Sequence, residues 1–207
     1  MLSLMGRPKS FSESEVIQGV ADVFSAHGFK GTSVQMLVDA SGLGKQSLYN
    51  SFGDKQSLYL KALDCAAARF GVVSEAMNNA PNGRDAIHVF FEHLLGQCLS
   101  ADPSEQACIV SAGLLEGLSE PPITDALRTK WTTSHALLKA TVIRGQEDGS
   151  IGADGPAREL ADILMALMGG LRVSARAVDD PSRLRATIKR TLSLLDTGFE
   201  EKEKKPR

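Results

Sequence analysis

The stretch "DASGLGKQSLYNSFGDKQSLY", Asp39 to Tyr59, interrupts a chain otherwise patterned as long helices. Gly42 ends one helix, Leu43 plugs the corner, and Gly44 leads into a helix of only about seven residues, Lys45 to Ser51. Within it Leu48 and Phe52 are four apart, so both point inward against Leu37 and Val34 of the preceding helix. That leaves Lys45, Gln46, Tyr49 and Asn50 facing out, with the small Ser47 beside them. So short a helix is marginal alone and has to be held by its neighbours. Gly53-Asp54 then caps a long fourth helix bearing Leu58, Leu63, Ala67, Phe70 and Val73.

Helical spacing also governs the flanks. Ser12 with Glu15 forms a capping box, Val16, Val20, Val23 and Phe24 make an inward stripe, and His27-Gly28 closes the first helix. The second helix opens at Thr32 or Ser33 and buries Val34, Leu37 and Val38. Beyond the break at Ala80-Pro81-Asn82-Gly83, helices are expected near 84–100, 104–118, 122–148, 156–178 and 182–199. Pro103, Pro156 and Pro181 stand at or near helix starts, where a missing N–H costs nothing. No segment sustains two-residue alternation. The fold class is all-α, a three-helix head over residues 1–56 and a larger helical body over 57–199, followed by a disordered charged tail at 200–207.

Two helices joined by a short glycine turn form a helix-turn-helix, whose second helix enters the DNA major groove. The outward row suits that task. Gln46 can pair with adenine, Lys45 can reach guanine acceptors or phosphate, and Tyr49 and Asn50 can donate to phosphate oxygens. Ser47 is small enough for close approach. Thr32 and Ser33 offer hydroxyls and free N–H groups at a helix start, a phosphate site. Lys55 opposes its helix dipole by about 0.3–1 kcal/mol unless a phosphate sits there. Arg7 and Lys9 in the arm "GRPK" are placed for backbone or minor groove.

At these residues the chain resembles the TetR family of transcriptional regulators. The matching run is "VIQGVADVFSAHGFKGTSVQMLVDASGLGKQSLYNSFGDKQSLYLKAL", Val16 to Leu63, about a quarter of the chain. It keeps the family order: a Gly-aromatic pair, a Thr-Ser start, Gly-x-Gly-Lys in the turn, the Leu-Tyr-x-x-Phe helix and a Lys-led fourth helix. The resemblance puts Lys45, Gln46, Ser47, Tyr49, Asn50 and Lys55 on DNA-contact positions. Asn50 and Ser51 stand where the family often has a histidine or second tyrosine, so the phosphate contact there is expected to be weaker or differently made.

The resemblance further implies a homodimer on a palindromic double-stranded operator, acting as a repressor in the cytoplasm and released by a small-molecule effector. Its interface is expected on the helices near 156–178 and 182–199, through Leu160, Ile163, Leu164, Leu167, Met168 and Leu171, then Leu184, Ile188, Leu192 and Leu195. Gly169-Gly170 would permit close helix approach there. Candidate pocket residues are Phe90, Phe91, Leu94, Leu114, Leu118, Trp131, Leu138 and Met165. Cys108 is the candidate for a thiol-based redox or electrophile sensor, since a helix start raises thiol reactivity, although Glu105 opposes it. A helical adaptor that binds only protein is the other alternative.

Composition bounds the rest. The chain of 207 residues carries a net charge of −2 and is 43% hydrophobic, enough for a core without staples. The first 56 residues hold five Lys/Arg and five Asp/Glu, so any phosphate affinity rests on local placement. Three cysteines without framework spacing read as reduced thiols of a cytosolic protein. No apolar run approaches the roughly 20 residues of a membrane span, and the start lacks signal-peptide order. His88 and His93 are five apart, His135 is isolated, and no ligand set for a metal forms. "GLGKQS" lacks the first glycine and the preceding strand of a phosphate loop, and no nucleophile elbow or His-Glu metal helix occurs. No cofactor and no enzymatic activity are expected.

Overall fold

The computed structural model describes residues 12–178 and 180–197. Among them the elements are helices: α1 (Glu13–Gly31), α2 (Val34–Ser41), α3 (Lys45–Phe52), α4 (Lys55–Asn78), α5 (Gly83–Cys98), α6 (Pro103–Gln106), α7 (Ile109–Leu115), α8 (Pro121–Glu147), α9 (Ala157–Ala177), α10 (Pro181–Leu192) and α11 (Leu194–Thr197). The Ser12–Glu15 capping box is formed at the start of α1. Gly28, at φ 71 and ψ 179, breaks the α-helical path of α1 three residues before its end.

The expected pattern is departed from twice, the first time with a tertiary cause. The single helix expected near 104–118 is split into α6 and α7, with Cys108 extended between them. Arg172 Nη1 donates to the Gln106 carbonyl at 3.2 Å and the Tyr59 hydroxyl donates to the Ile109 carbonyl at 3.2 Å. Both carbonyls are thus held from outside the helix, bonds no local spacing announces. The last expected helix likewise divides at Ser193 into α10 and α11; residues 198–199 and the tail at 200–207 lie outside the described residues.

Two cores are packed, and α4 serves both. The head core gathers Val16, Val20 and Phe24 of α1, Leu37 of α2, Leu48 and Phe52 of α3, and Leu58, Tyr59, Ala62 and Leu63 of α4. Body residues Ile109, Leu118, Ile123 and Leu127 close it. Farther along α4, Val73 and Met77 join the body core with α5, α8, α9 and α10. Val23, Val34 and Val38 of the expected stripes are only half-buried.

At the far end of α4 the guanidinium of Arg144 on α8 donates to the carbonyls of Met77, Asn78 and Asn82. A cation on a helix C-terminus meets the negative end of its dipole. The start of α5 then runs backbone to backbone against α8, where a Cβ on Gly83 would overlap Gly145. Gly71, exposed on α4, has open space instead. Gly83→Ala is therefore expected to lose about 1–3 kcal/mol through overpacking. Gly71→Ala should gain about 0.5–1 kcal/mol, the usual helix-interior preference. Urea unfolding of both variants checks the pair; equal shifts would contradict the close α5–α8 approach.

Candidate nucleic-acid interface and body cavity

The turn between α2 and α3 is made by Gly42 at φ 66, whose N–H donates to the Val38 carbonyl. Leu43 is half-buried in the corner. Leu48 at 0% and Phe52 at 7% exposure anchor α3 from behind. Lys45, Gln46, Ser47 and Asn50 are exposed, and Tyr49 is half-buried against the head core. Gln46 Nε2 donates to Asn50 Oδ1 at 2.9 Å, one turn along, so the two amides form a unit with donors and acceptors left over.

Thr32 requires a correction. It is 2% exposed and its hydroxyl donates to the Gly28 carbonyl at 2.6 Å, so it stabilises the end of α1 and has no hydroxyl proton to offer outside. Ser33 is exposed as the N-cap of α2 and accepts from Met36 N–H at 3.2 Å. Lys55 does not depend on a phosphate for company. Its ammonium stands 4.7 Å over the Phe29 ring, and such a contact gives about 0.5–1 kcal/mol, comparable with the dipole penalty. Asp54 caps α4 through Ser57 N–H at 2.8 Å; bonds from Ser57 hold its carboxyl below the ordinary range. Arg7 and Lys9 lie outside the described residues.

Head and body meet at a carboxylate that the sequence reading missed. Glu116, the C-cap of α7, accepts from Phe29 N–H and Lys30 N–H, both at 3.1 Å. Lys30 Nζ donates to the Glu116 carbonyl at 2.9 Å. Gly28 lies directly beneath, where any Cβ would collide with that carboxylate. Only the turn at Gly28 turns successive N–H groups toward one anion, and its partner is 87 residues away in sequence, beyond any local signal. Nearby, Tyr59 is fully buried, edge-on to Phe24 at 4.9 Å. Burial first, and then the charge of Glu116, push its phenol far up, so it remains a donor to Ile109.

A cavity of about 750 Å3 is walled by α4, α5, the α6–α7 segment, α8 and α9 of the body and by Gln18, Asp22 and Ser25 of α1. Phe90, Leu94 and Trp131 of the expected set line it. Phe91, Leu138 and Met165 are corrections, packed in the body core behind the wall. Leu118 belongs to the head core and Leu114 is exposed outside the cavity. Cys108 is half-buried on the wall; burial pushes the neighbouring Cys98 thiol up. Arg172 was overlooked, yet it follows Met168 by four on α9, and both face the cavity. His135 is not isolated, its Nε2 being 2.9 Å from Asp162 Oδ1. Among the described residues no group of three or more metal-ligating side chains converges, and no helix is long and apolar enough to cross a membrane.

The expected interface stripes turn inward. Leu160, Leu164, Met168 and Leu171 of α9, and Leu184, Ile188, Leu192 and Leu195, are all spent on the body core. The outer face of α9 exposes Ala166, Gly170, Val173 and Ser174 among others, with Ile163, Leu167 and Gly169 half-buried alongside. A Cβ on either glycine would meet nothing within the chain.

Comparison with known proteins agrees with this architecture. The family model "Bacterial regulatory proteins, tetR family" matches residues 17–62, and "Tetracyclin repressor-like, C-terminal domain" matches residues 83–191, more than half of the chain. The uncharacterized HTH-type transcriptional regulator YezE of Bacillus subtilis (strain 168) is 24% identical over 93% of this chain and 100% of its own. The HTH-type transcriptional repressor ComR of Escherichia coli (strain K12) is 24% identical over 83% of this chain and 82% of its own. A cysteine mutant of the TetR family regulator CifR, complexed with 26 bp double-strand operator DNA, superposes with a TM-score of 0.80 at 28% identity, covering 92% of this chain and 100% of its own. The chain therefore belongs to the TetR family of bacterial transcriptional regulators and is not an enzyme.

The Glu116 contact generates a direct expectation. Charge-assisted bonds to backbone N–H groups exceed neutral ones, so Glu116→Ala should lower stability by about 1–2 kcal/mol. Chemical denaturation measures it, and a change below about 0.3 kcal/mol would mean that water replaces the carboxylate without loss.

Proposed function

We propose that the protein is a homodimeric repressor that binds a palindromic operator in the cytoplasm and is released when a small molecule enters the body cavity. The observation that carries the reading is the exposed row Lys45, Gln46, Ser47 and Asn50 on a helix fixed from behind by Leu48 and Phe52. A rigid backing lets few side chains select bases, because little ordering remains to be done at the groove. Ser33 with the start of α2, Tyr49 and Lys55 act as backbone contacts beside it, joined by Arg7 and Lys9 of the arm. The repressor relative ComR and the operator complex of CifR support DNA as the partner. We assign residues 1–56 to reading and 57–199 to sensing and pairing.

Pairing falls to the outer face of α9. Val173 is 64% exposed, and the open space over Gly169 and Gly170 lets a second helix approach closely. A helix-turn-helix reads two half-sites about 34–36 Å apart only as a two-fold pair. Release follows from α7, a strut whose first residues Ile109 and Val110 line the cavity while Glu116 at its other end grips α1. An effector shifts the balance by its differential affinity for the two positions of that strut. A thiol-responsive variant of the same switch is the second reading, favoured by the place of Cys108 on the cavity wall.

Binding to the DNA upstream of its own gene, measured across salt concentrations, tests the head. Gln46→Ala should weaken specific binding about tenfold, within the 1–3 kcal/mol of a paired base contact. Lys45→Ala should cut the salt slope by about one. If neither variant departs from the parent, α3 does not read DNA. For pairing, Val173→Glu should convert the dimer to monomer in sedimentation equilibrium; an unchanged dimer would move the interface elsewhere.

A further inference from the structure

Three cations line the body cavity, and their partners differ. Arg69 is paired with Asp22 and Lys130 with Asp64, each at 2.7 Å. Arg172 has no ion-pair partner among the described residues. Its Nη1 and Nη2 reach only neutral acceptors, the Gln106 carbonyl at 3.2 Å and Gln97 Oε1 at 2.8 Å. Its Nε is buried without a hydrogen bond among the described residues. Of the acids on the same wall, Asp22 is committed to Arg69, and Asp102 and Glu105 are exposed, where solvent screens them. The least screened charge in the cavity is therefore positive, and a half-buried guanidinium without a counter-charge gains most from a ligand that brings one.

The remaining surface is of a different kind. Phe70 and Phe90 meet edge to face at 6.4 Å, and Trp131 lies on the same wall. Ser111, also lining the cavity, has a buried hydroxyl without a partner among the described residues. Partial burial, and then the Arg172 charge, hold His93 below the ordinary histidine range, so it brings no competing cation near neutral pH. The volume is within the range of small-molecule sites, with apolar walls and few polar groups to fix orientation.

We propose that the cavity takes a compact aromatic monocarboxylate, its ring against Phe70, Phe90 and Trp131 and its carboxylate on the Arg172 guanidinium. The inference rests on the effector-pocket reading above. A planar fork matches a carboxylate geometrically, and the ring faces favour offset or edge contacts with a flat body. Seating the anion also engages the side chain that holds the Gln106 carbonyl, at the hinge between α6 and α7.

The test compares 2-naphthoate with 2-naphthalenemethanol, which share the ring and differ in charge, by isothermal titration calorimetry on the full-length protein. Naphthoate is expected to bind at least tenfold more tightly, and to release operator DNA at concentrations where the alcohol does not. Arg172→Gln should remove the preference while leaving binding of the alcohol within about twofold. Equal binding of both probes by the parent protein, or a preference that survives in Arg172→Gln, overturns the carboxylate assignment and leaves the pocket standing. Failure of both probes to bind overturns the assignment together with the pocket reading. Because the parent protein's preference is decisive by itself, an unfolded Arg172→Gln variant does not rescue the proposal.

Discussion

At the seam between head and body, the first turns of α4 pack against both units. Leu58 and Tyr59 touch the head core, while Ile109 of α7 and Ile123 and Leu127 of α8 close the same core from the body. Tyr59 is the central piece: its ring lies among Phe24 and Phe29, and its hydroxyl is committed to the Ile109 carbonyl. A buried phenol without that acceptor would carry an unmet polar group. The position of α7 is thus tied to the position of α1 and α4, and the head core is completed only by residues of the body.

That shared core explains how a short reading helix and a distant cavity form one device. α3 contributes just Leu48 and Phe52 to the buried core, with Tyr49 half-buried against it, yet these hold it because the core behind them is fixed by the body as well. Farther down, the same α4 contributes Phe70 and Val73 to the cavity wall. Glu116 adds a polar tether at the far end of α7, on N–H groups exposed by the Gly28 break. Packed elements with discrete contacts move between alternative positions instead of deforming smoothly.

Charge is distributed by the same logic. The head is neutral overall, and its outward cation Lys45 is set on a protruding helix, whereas Lys55 is partly occupied by Phe29. In the body, the cavity-wall cations Arg69 and Lys130 are neutralised by carboxylates on neighbouring helices, and Arg172 is left to neutral acceptors. Distribution, and not net charge, separates a surface for phosphate from a cavity for a small anion.

Much of this was legible in the residues. The Ser12–Glu15 box, the Gly42 turn, the inward pair Leu48 and Phe52, and the outward row of α3 follow from local geometry and four-residue spacing, which act within a turn or two. The sequence alone thereby determined an all-helical chain and the helix-turn-helix of its head. It did not determine which faces were used up: the stripe Leu184, Ile188, Leu192 and Leu195 looked available for a partner and is buried in the chain's own core. Thr32 looked open and donates inward; Phe91 and Leu138 looked like pocket and sit behind it. The Glu116 tether and the split of α6 from α7 were decided only in three dimensions. They depend on hydrogen bonds between groups dozens of residues apart, and such partners are chosen by packing, not by neighbours along the chain.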